Sequence, residues 1–287
     1  MPNLKEIRNR ISSVKSTMQI TSAMKMVSAA KLKKAQDAIT EMRPYANKLT
    51  ELLQSLSASL EGDGGSVFAE TREVNKVLVV AITSNRGLCG AFNSNIIKEG
   101  HNLAQTKYEG KQVDFVTIGK KGNDILSKSY TIAHHNSEVF DDLTFENVEA
   151  IAVQLMDFFE TGAYDKVELV YNKFKNAATQ IVMTEQFLPI VPVASEEAGS
   201  SMDYIFEPEK EKIVQTLIPK SLKTQLYKAV RDSFASEHGA RMTAMHKATD
   251  NAAELKDTLT LTYNKARQAA ITNEILEIVG GAEALNG

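Results

Sequence analysis

The chain has 287 residues, 43% of them apolar, which is enough for one large domain or two ordinary ones with a packed core. Its formal net charge of -3 at pH 7 gives no overall field that would attract nucleic acid or anionic lipid, so partners must be recognised locally. The single cysteine, Cys89, excludes an internal disulfide framework and a thiol pair for zinc or redox chemistry. No run approaches the roughly 20 consecutive apolar residues of a membrane-spanning helix.

The first 60 residues carry a long heptad pattern. Apolar residues recur at alternating steps of three and four from Leu4 to Leu60. A 3.5-residue repeat of this length predicts a coiled-coil helix with a left-handed supercoil. We place this helix over residues 1–60, with a kink at Pro44 and an end in the glycine-rich run that follows.

The last third of the chain has the same heptad spacing. Apolar and small residues with the same spacing continue from Met245 onward and predict a second coiled-coil helix. We place it over residues 208–287, because Pro208 suits the first turn of a helix. Between Leu222 and His238 the spacing changes to steps of four, which would relax the supercoil locally.

Between the two heptad regions, short β-branched runs alternate with helical patterns. A strand, a helix and a second strand over residues 76–118 precede two further helices and an antiparallel pair of strands at 166–174 and 179–190. This order predicts a Rossmann-like α/β domain over residues 75–195, with helices covering a mainly parallel sheet. The predicted fold class is α/β plus a long antiparallel two-helix coiled coil formed by the N- and C-terminal helices.

The two long helices have unequal lengths. If Leu60 lies beside Pro208 in an antiparallel pair, Leu4 lies beside residue 264, and the last ~20 residues project as a lone helix. An apolar stripe on this end has no partner within the chain, and such a stripe usually marks a partner surface. Folding back onto the chain's own core is the alternative. The stripe consists of Ile271, Ile275, Leu276, Ile278, Val279, Ala282 and Leu285.

Two other features argue against chemistry in this chain. Gly87 and Gly90 follow a buried strand but lack the dinucleotide and Walker patterns, so we expect a tight turn with Cys89 as a packed or half-exposed thiol. His134 and His135 are adjacent without a third ligand nearby, so we expect surface-loop histidines and no metal site. On pattern alone, a dinucleotide-dependent enzyme with a coiled-coil arm and a coiled-coil chaperone with an apolar tip stay open as alternatives.

Five segments resemble the gamma subunit family of ATP synthases, and together they extend over the whole chain. They are ITNEILEIVGGAEA (271–284), ITSAMKMVSAAKL (20–32), ATDNA (248–252), YNKARQA (263–269) and SNRGLCG (84–90). After the last of these, the family commonly has a second Gly and a Leu where this chain has Ala91 and Phe92. This departure affects no expected role.

The resemblance implies a central shaft that turns inside a ring of three alpha and three beta subunits. The α/β domain would form the foot on a membrane c-ring, with an epsilon subunit as a further partner. The ring would hold the nucleotides, so this chain would be non-catalytic, without cofactor, metal, nucleic acid or small-molecule substrate. It would lie peripherally on the cytoplasmic face of the bacterial inner membrane. Its asymmetry would force each beta subunit in turn through different affinities.

The resemblance also suggests which residues contact the ring. The apolar heptad pattern is interrupted at Thr21, Lys25 and Ser28. A lysine at a core position such as Lys25 costs stability in a coiled coil. From the pattern alone, this stretch is equally well explained as a solvated interruption or as a contact face. The resemblance to the family favours a contact face. It adds Arg267 and Gln268 of the second helix as hydrogen-bonding residues, and the guanidinium of Arg267 suits carboxylates on the ring. The expected ring contacts are Met24, Lys25, Arg267, Gln268, Ile271, Ile275, Leu276 and Val279.

A second contact region is expected at the foot. Arg43 and Tyr45 should meet Tyr204 and Glu207 there, if the antiparallel pairing is right. Both segments carry aromatic and charged groups suited to a polar loop of the membrane ring. These four residues are therefore the expected contacts to the c-ring.

Overall fold

The computed structural model describes residues 3–57, 67–190 and 210–286. Its main elements are α1 (Leu4–Ser57), β1 (Lys76–Ile82), α2 (Phe92–Asn102), β2 (Gln112–Ile118), α3 (Lys120–Leu126), β3 (Ile132–Asn136), α4 (Phe145–Glu160), β4 (Lys166–Phe174), β5 (Gln180–Leu188) and α5 (Lys210–Asn286). None of the helices in these ranges is long and apolar enough to cross a membrane. The chain divides into two compact units. We call Met1–Ser28 with Met242–Gly287 the coil unit, and Ala29–Arg241 the sheet unit.

The sheet unit is built on a five-stranded sheet with the order β3-β2-β1-β4-β5. The central strand β1 pairs in parallel with β2 and β4, β2 pairs in parallel with β3, and β4 pairs antiparallel with β5. All residues of β1 after Lys76 are buried. A continuous apolar run of this kind is typical of a parallel strand that is covered on both faces. The predicted mainly parallel sheet, with an antiparallel pair at one end, is confirmed.

Two apolar cores cover the faces of the sheet. One contains Ile96 of α2 with Phe115 of β2. The other contains Phe159 of α4 together with a run from α5, including Leu222 and Leu226, which are fully or almost fully buried. Burying a Leu side chain contributes about 1.5–3 kcal/mol. The four-residue spacing in this part of α5 therefore reflects packing in the core of the sheet unit.

Strand β3 was not predicted, and the expectation that His134 and His135 lie in a surface loop is wrong. Both residues belong to β3, the edge strand beside β2. The hydroxyl of Thr117 lies 2.9 Å from Nδ1 of His135. The strand is only half-buried and polar, so it lacks the apolar run by which the other strands were recognised.

Gly119 has a conformation and a setting that exclude a larger residue. Its φ is +104°, and an added Cβ would overlap the backbone oxygen of Thr83. We expect Gly119→Ala to lower the free energy of unfolding by about 2–4 kcal/mol. Gly110→Ala is the control, because its φ is +76° but no atom lies within 4 Å of an added Cβ. That variant should lose only about 1 kcal/mol. Urea unfolding measures both, and equal losses would contradict a clash at Gly119.

The coil unit consists of two antiparallel helical segments, the start of α1 and the last part of α5. Three contacts set their register: Arg8 Nη2 to Tyr263 OH at 3.2 Å, Thr21 Oγ1 to Thr249 Oγ1 at 2.8 Å, and Lys25 Nζ to His246 Nδ1 at 3.5 Å. Residue numbers on α1 rise as those on α5 fall, so the antiparallel pairing is confirmed. Carried back one turn, this register places Leu4 beside about residue 267, within one turn of the prediction.

Both long helices contain a proline without a break. α1 runs through Pro44, and α5 runs through Pro219. The predicted helix start at Pro208 and the glycine-rich stop lie outside the described residues. The division into 1–60, 75–195 and 208–287 therefore stays a prediction.

Candidate functional site

The last part of α5 extends beyond the segment of α1 with which it pairs. All side chains of residues 270–282 are exposed, whereas Ala266 and Ala269, just before them, are half-buried. The large apolar side chains there are between 48% and 67% exposed: Ile271, Ile275, Leu276, Ile278 and Val279. Residues 270–282 therefore do not fold back onto the part of the chain that the structure describes. Contiguous exposed apolar side chains are uncommon on a protein surface without a partner, so we define residues 270–282 as the exposed tip.

Arg267 and Gln268 lie directly before the exposed tip. Both side chains are exposed and are positioned at the level where the pairing with α1 ends. The structure therefore brings these two polar residues and the apolar residues of the tip to one end of the coil unit. A guanidinium at this place is free to form a bidentate contact with a carboxylate of another chain.

Met24 and Lys25 lie further along the coil unit and are half-buried. The ammonium of Lys25 lies beside the imidazole of His246, whose Nδ1 is 3.3 Å from Oδ2 of Asp250. The neighbouring breaks in the heptad pattern are packed, since Thr21 is 8% exposed. The stretch from Thr21 to Ser28 is thus a packed interface between the two helices, which includes the hydroxyl pair of Thr21 and Thr249, and not a solvated interruption. We call this interface the seam.

Sequence reasoning missed three exposed apolar residues around this seam. Ile20, Met26 and Val27 are 58–66% exposed. They lie outside the heptad positions, and their apolar character at those positions was the signal that could have identified them. They enlarge the surface around Met24 that a partner could cover.

Only part of the expected foot contact lies within the described residues. Tyr45 is 49% exposed, and the ammonium of Lys220 lies 5.8 Å from its ring centroid. The side chain of Arg43, together with Tyr204 and Glu207, lies outside the described residues. The expected meeting of the two segments therefore stays a prediction.

The turn between β1 and α2 matches its prediction. Leu88 and Gly90 have positive φ values near 60°, as a tight turn requires. Cys89 is 1% exposed, and burial raises the pKa of its thiol. A buried thiol with a raised pKa is unreactive. Across residues 3–57, 67–190 and 210–286, no three His, Cys, Asp or Glu side chains form a group that could hold a metal ion.

A buried polar cluster on α5 was missed. The spacing of four placed His238 on an apolar face, and its ring does pack edge-on against Phe234 at 4.5 Å between centroids. Its polar neighbours are Glu237 and Arg241, and each of these three side chains is less than 10% exposed. Burial, followed by the positive charges of Arg241 and Lys31, lowers the pKa of His238 to about 4.

This lowered pKa predicts acid sensitivity of the fold. The unfolded chain takes up a proton at this imidazole near pH 6.5 and the folded chain only near pH 4, so stability is lost as pH falls through that window. The expected loss from His238 is about 3 kcal/mol. Burial raises the pKa of Glu237, which acts in the opposite direction. We therefore compare the wild type with His238→Gln by urea unfolding at each pH. An identical pH dependence in both chains would contradict the prediction.

The antiparallel helices of the coil unit with their exposed apolar tip, and the α/β sheet of the sheet unit, indicate a protein with a partner surface. A family model described as ATP synthase matches residues 3–285. The ATP synthase gamma chain of Flavobacterium johnsoniae is 74% identical over 287 residues, covering 100% of both chains. That of Flavobacterium psychrophilum is also 74% identical with 100% of both chains covered. The chain belongs to the ATP synthase gamma chain family.

Solved structures agree with this assignment. A chain in the central stalk and c-ring structure of the Tetrahymena thermophila mitochondrial ATP synthase is 29% identical, with a TM-score of 0.61. The match covers 80% of this chain and 99% of that one. A chain of the Euglena gracilis mitochondrial ATP synthase has the same fold, with a TM-score of 0.72 at 23% identity over 98% of this chain and 94% of that one.

Proposed function

We propose that this chain is the rotating central shaft of an F-type ATP synthase and performs no chemistry itself. It turns inside the ring of alpha and beta subunits and couples proton flow through the membrane c-ring to the synthesis or hydrolysis of ATP. The observation that carries this proposal is the exposed tip, whose large apolar side chains extend past the end of the pairing with α1. Burial of such side chains by a surrounding ring is favourable by about 25 cal/mol per Å² of apolar surface.

The ring contacts lie at two levels of the coil unit. At the tip, the apolar side chains pack in the ring while the exposed guanidinium of Arg267 and amide of Gln268 bond its polar groups. Lower down, Met24 and Lys25 bind a beta subunit, supported by the exposed apolar residues around them. The tip contacts are Ile271, Ile275, Leu276 and Val279.

The coil unit has the asymmetry that such a rotor needs. Its two helices differ in sequence and in length, so three equivalent ring positions meet three different faces of the shaft. Only contacts that differ between two conformers shift their populations, and a shift from 1:99 to 99:1 takes about 5.5 kcal/mol. Rotation therefore changes the nucleotide affinity of each beta subunit in turn. The absence of a phosphate-binding pattern from the turn at residues 84–90 supports a non-catalytic role.

The foot binds the c-ring, and an epsilon subunit is a further partner. Arg43, Tyr45, Tyr204 and Glu207 are the proposed contacts to polar loops of the c-ring. With these partners the chain lies peripherally on the cytoplasmic face of the bacterial inner membrane. Bacterial gamma chains of the same length, and the presence of a c-ring in the Tetrahymena structure, support this placement.

A rotation experiment tests the proposal. The complex is purified and fixed to a surface through its beta subunits, and a bead is attached to the sheet unit through Lys111→Cys, an exposed position. Cys89 is buried and does not compete for the label. We expect one-way rotation during ATP hydrolysis and no binding of ATP by the isolated chain in calorimetry. Hydrolysis with a stationary bead would reject the rotor, and ATP binding by the isolated chain would favour an enzyme.

A further inference from the structure

Arg241 joins α5 to the turn between β1 and α2 within the sheet unit. The residue is 6% exposed, and its guanidinium contacts four groups, of which His238 Nδ1 lies 3.4 Å from Nη1. Nη2 donates to the backbone oxygens of Arg86 at 2.9 Å and Gly87 at 3.2 Å, and Nε donates to Gly87 at 3.3 Å. Nη1 lies 2.6 Å from Oε1 of Glu237, one helical turn earlier. The planar guanidinium group of Arg241 is therefore held by the turn on one edge and by Glu237 of α5 on the other.

The same short stretch of α5 has two more contacts with the α/β layers. The hydroxyl of Ser236 donates to the backbone oxygen of Asn172 in β4 at 2.9 Å. At Gly239, an added Cβ would lie 3.2 Å from the backbone of Ala177, which follows β4. Three points within residues 236–241 thus hold α5 against β4, the segment after β4 and the turn after β1.

Earlier in α5, two part-buried hydrogen bonds accompany the apolar contacts, from Lys223 to Glu149 at 2.6 Å and from Gln225 to the backbone oxygen of Gln186 at 3.3 Å. Leu222 and Leu226 pack in the apolar core, and apolar packing has no strong directional preference. Hydrogen bonds depend steeply on angle, so they fix the orientation of the groups that they join. The buried pair of Glu237 and Arg241 is weak evidence for stability, because desolvation offsets much of its attraction. The bonds of Arg241 to the backbone oxygens of Arg86 and Gly87 fix the rotation of α5 about its own axis, because they join α5 to the turn after β1.

We propose that Arg241 is a positioning residue for torque transfer, which fixes the angle of α5 against the α/β sheet so that α5 does not slip when the sheet unit turns. The inference rests on the proposed rotor function. Arg241 is the last residue of the sheet unit, and α5 continues from it without a break into Met242 of the coil unit. Any twist passed along α5 leaves the sheet unit at this residue.

The test uses the assembled complex with the bead on the sheet unit. The double variant Glu237→Leu/Arg241→Met removes both buried charges together, so that neither is left unpaired. We expect assembly and ATP hydrolysis per complex to be kept, while the angular variance of the bead during pauses rises about twofold, because the rigid polar contact is lost. Arg241→Lys keeps the positive charge but not the planar guanidinium group with its several donors, and should give an intermediate variance.

Arg231→Met is the matched control. Arg231 lies on the same helix, but its Nε donates to the Tyr227 hydroxyl of α5 itself at 2.9 Å. We expect this variant to leave the variance unchanged. An unchanged variance in the double variant, or an equal rise in the control, would overturn the inference while wild-type rotation still supports the rotor. If the double variant does not assemble, the variance of Arg241→Lys decides: a wild-type value overturns the inference and a raised value supports it.

Discussion

Ile275→Lys with Val279→Lys should abolish most ATP-driven proton pumping while the isolated chain stays as stable as the wild type. Both side chains are more than half exposed in the chain alone, so the change should alter its stability by no more than about 0.5 kcal/mol. Inside the ring, the same positions would bury two unpaired charges, at a cost of several kcal/mol each. Thermal unfolding of the chain and acidification of membrane vesicles measure the two effects.

The control for this pair introduces the same residues on the same turns. Asn273→Lys with Glu277→Lys has the same spacing and a larger change in charge, but it replaces polar side chains. It should retain most of the pumping. If the apolar pair and the polar pair lose pumping equally, the loss comes from charge in general and the tip is not buried by apolar contact.

Leu255→Pro with Leu259→Pro should separate ATP hydrolysis from proton pumping. Proline removes a backbone donor and clashes with the preceding turn, at a cost of about 3 kcal/mol for each site in a helix interior. Both positions lie in α5 within the coil unit, well away from residues 270–282. The ring can still hydrolyse ATP, but a broken helix passes on little torque. We expect the ratio of protons pumped to ATP hydrolysed to fall at least about tenfold, because a cost of about 3 kcal/mol at each site makes the intact helix more than about tenfold rarer.

Alanine at the same two positions serves as the control. Leu255 is 42% exposed and Ala is the best helix former, so this pair keeps the helix while removing side-chain contacts. Coupling should stay near the wild-type ratio. Full coupling in the proline variant would contradict the requirement for a continuous stiff helix.

The sequence predicted best those elements whose burial is uniform. β4 was predicted at Lys166–Phe174, which is where it lies, because valine and aromatic residues are favoured in strands. β3 was missed, because a short half-buried edge strand with three polar residues among five gives no continuous apolar run. The helix after β1 was predicted, but the π-helical turn of five residues that continues it from Leu103 was not, because apolar spacing does not reveal it.

The functional site was also predicted only in part. The exposed tip followed from the difference in helix length, which is a property of chain topology and spacing. The contacts of Arg241 join positions more than 150 residues apart, so no local pattern signals them. His238 was taken as part of an apolar face, and only the packed structure shows its charged neighbours.

The hydroxyl pair in the coil unit has one further consequence. The oxygens of Thr21 and Thr249 lie 2.8 Å apart between the two antiparallel helices. Each hydroxyl also has a backbone acceptor on its own helix, Met18 for Thr21 at 3.1 Å and Met245 for Thr249 at 2.8 Å. If either helix moved lengthwise, only the bond between the two helices would be lost, at a cost of about 0.5–1.5 kcal/mol. This bond opposes a lengthwise shift of one helix against the other, and so helps to keep constant the length of α5 that extends beyond α1.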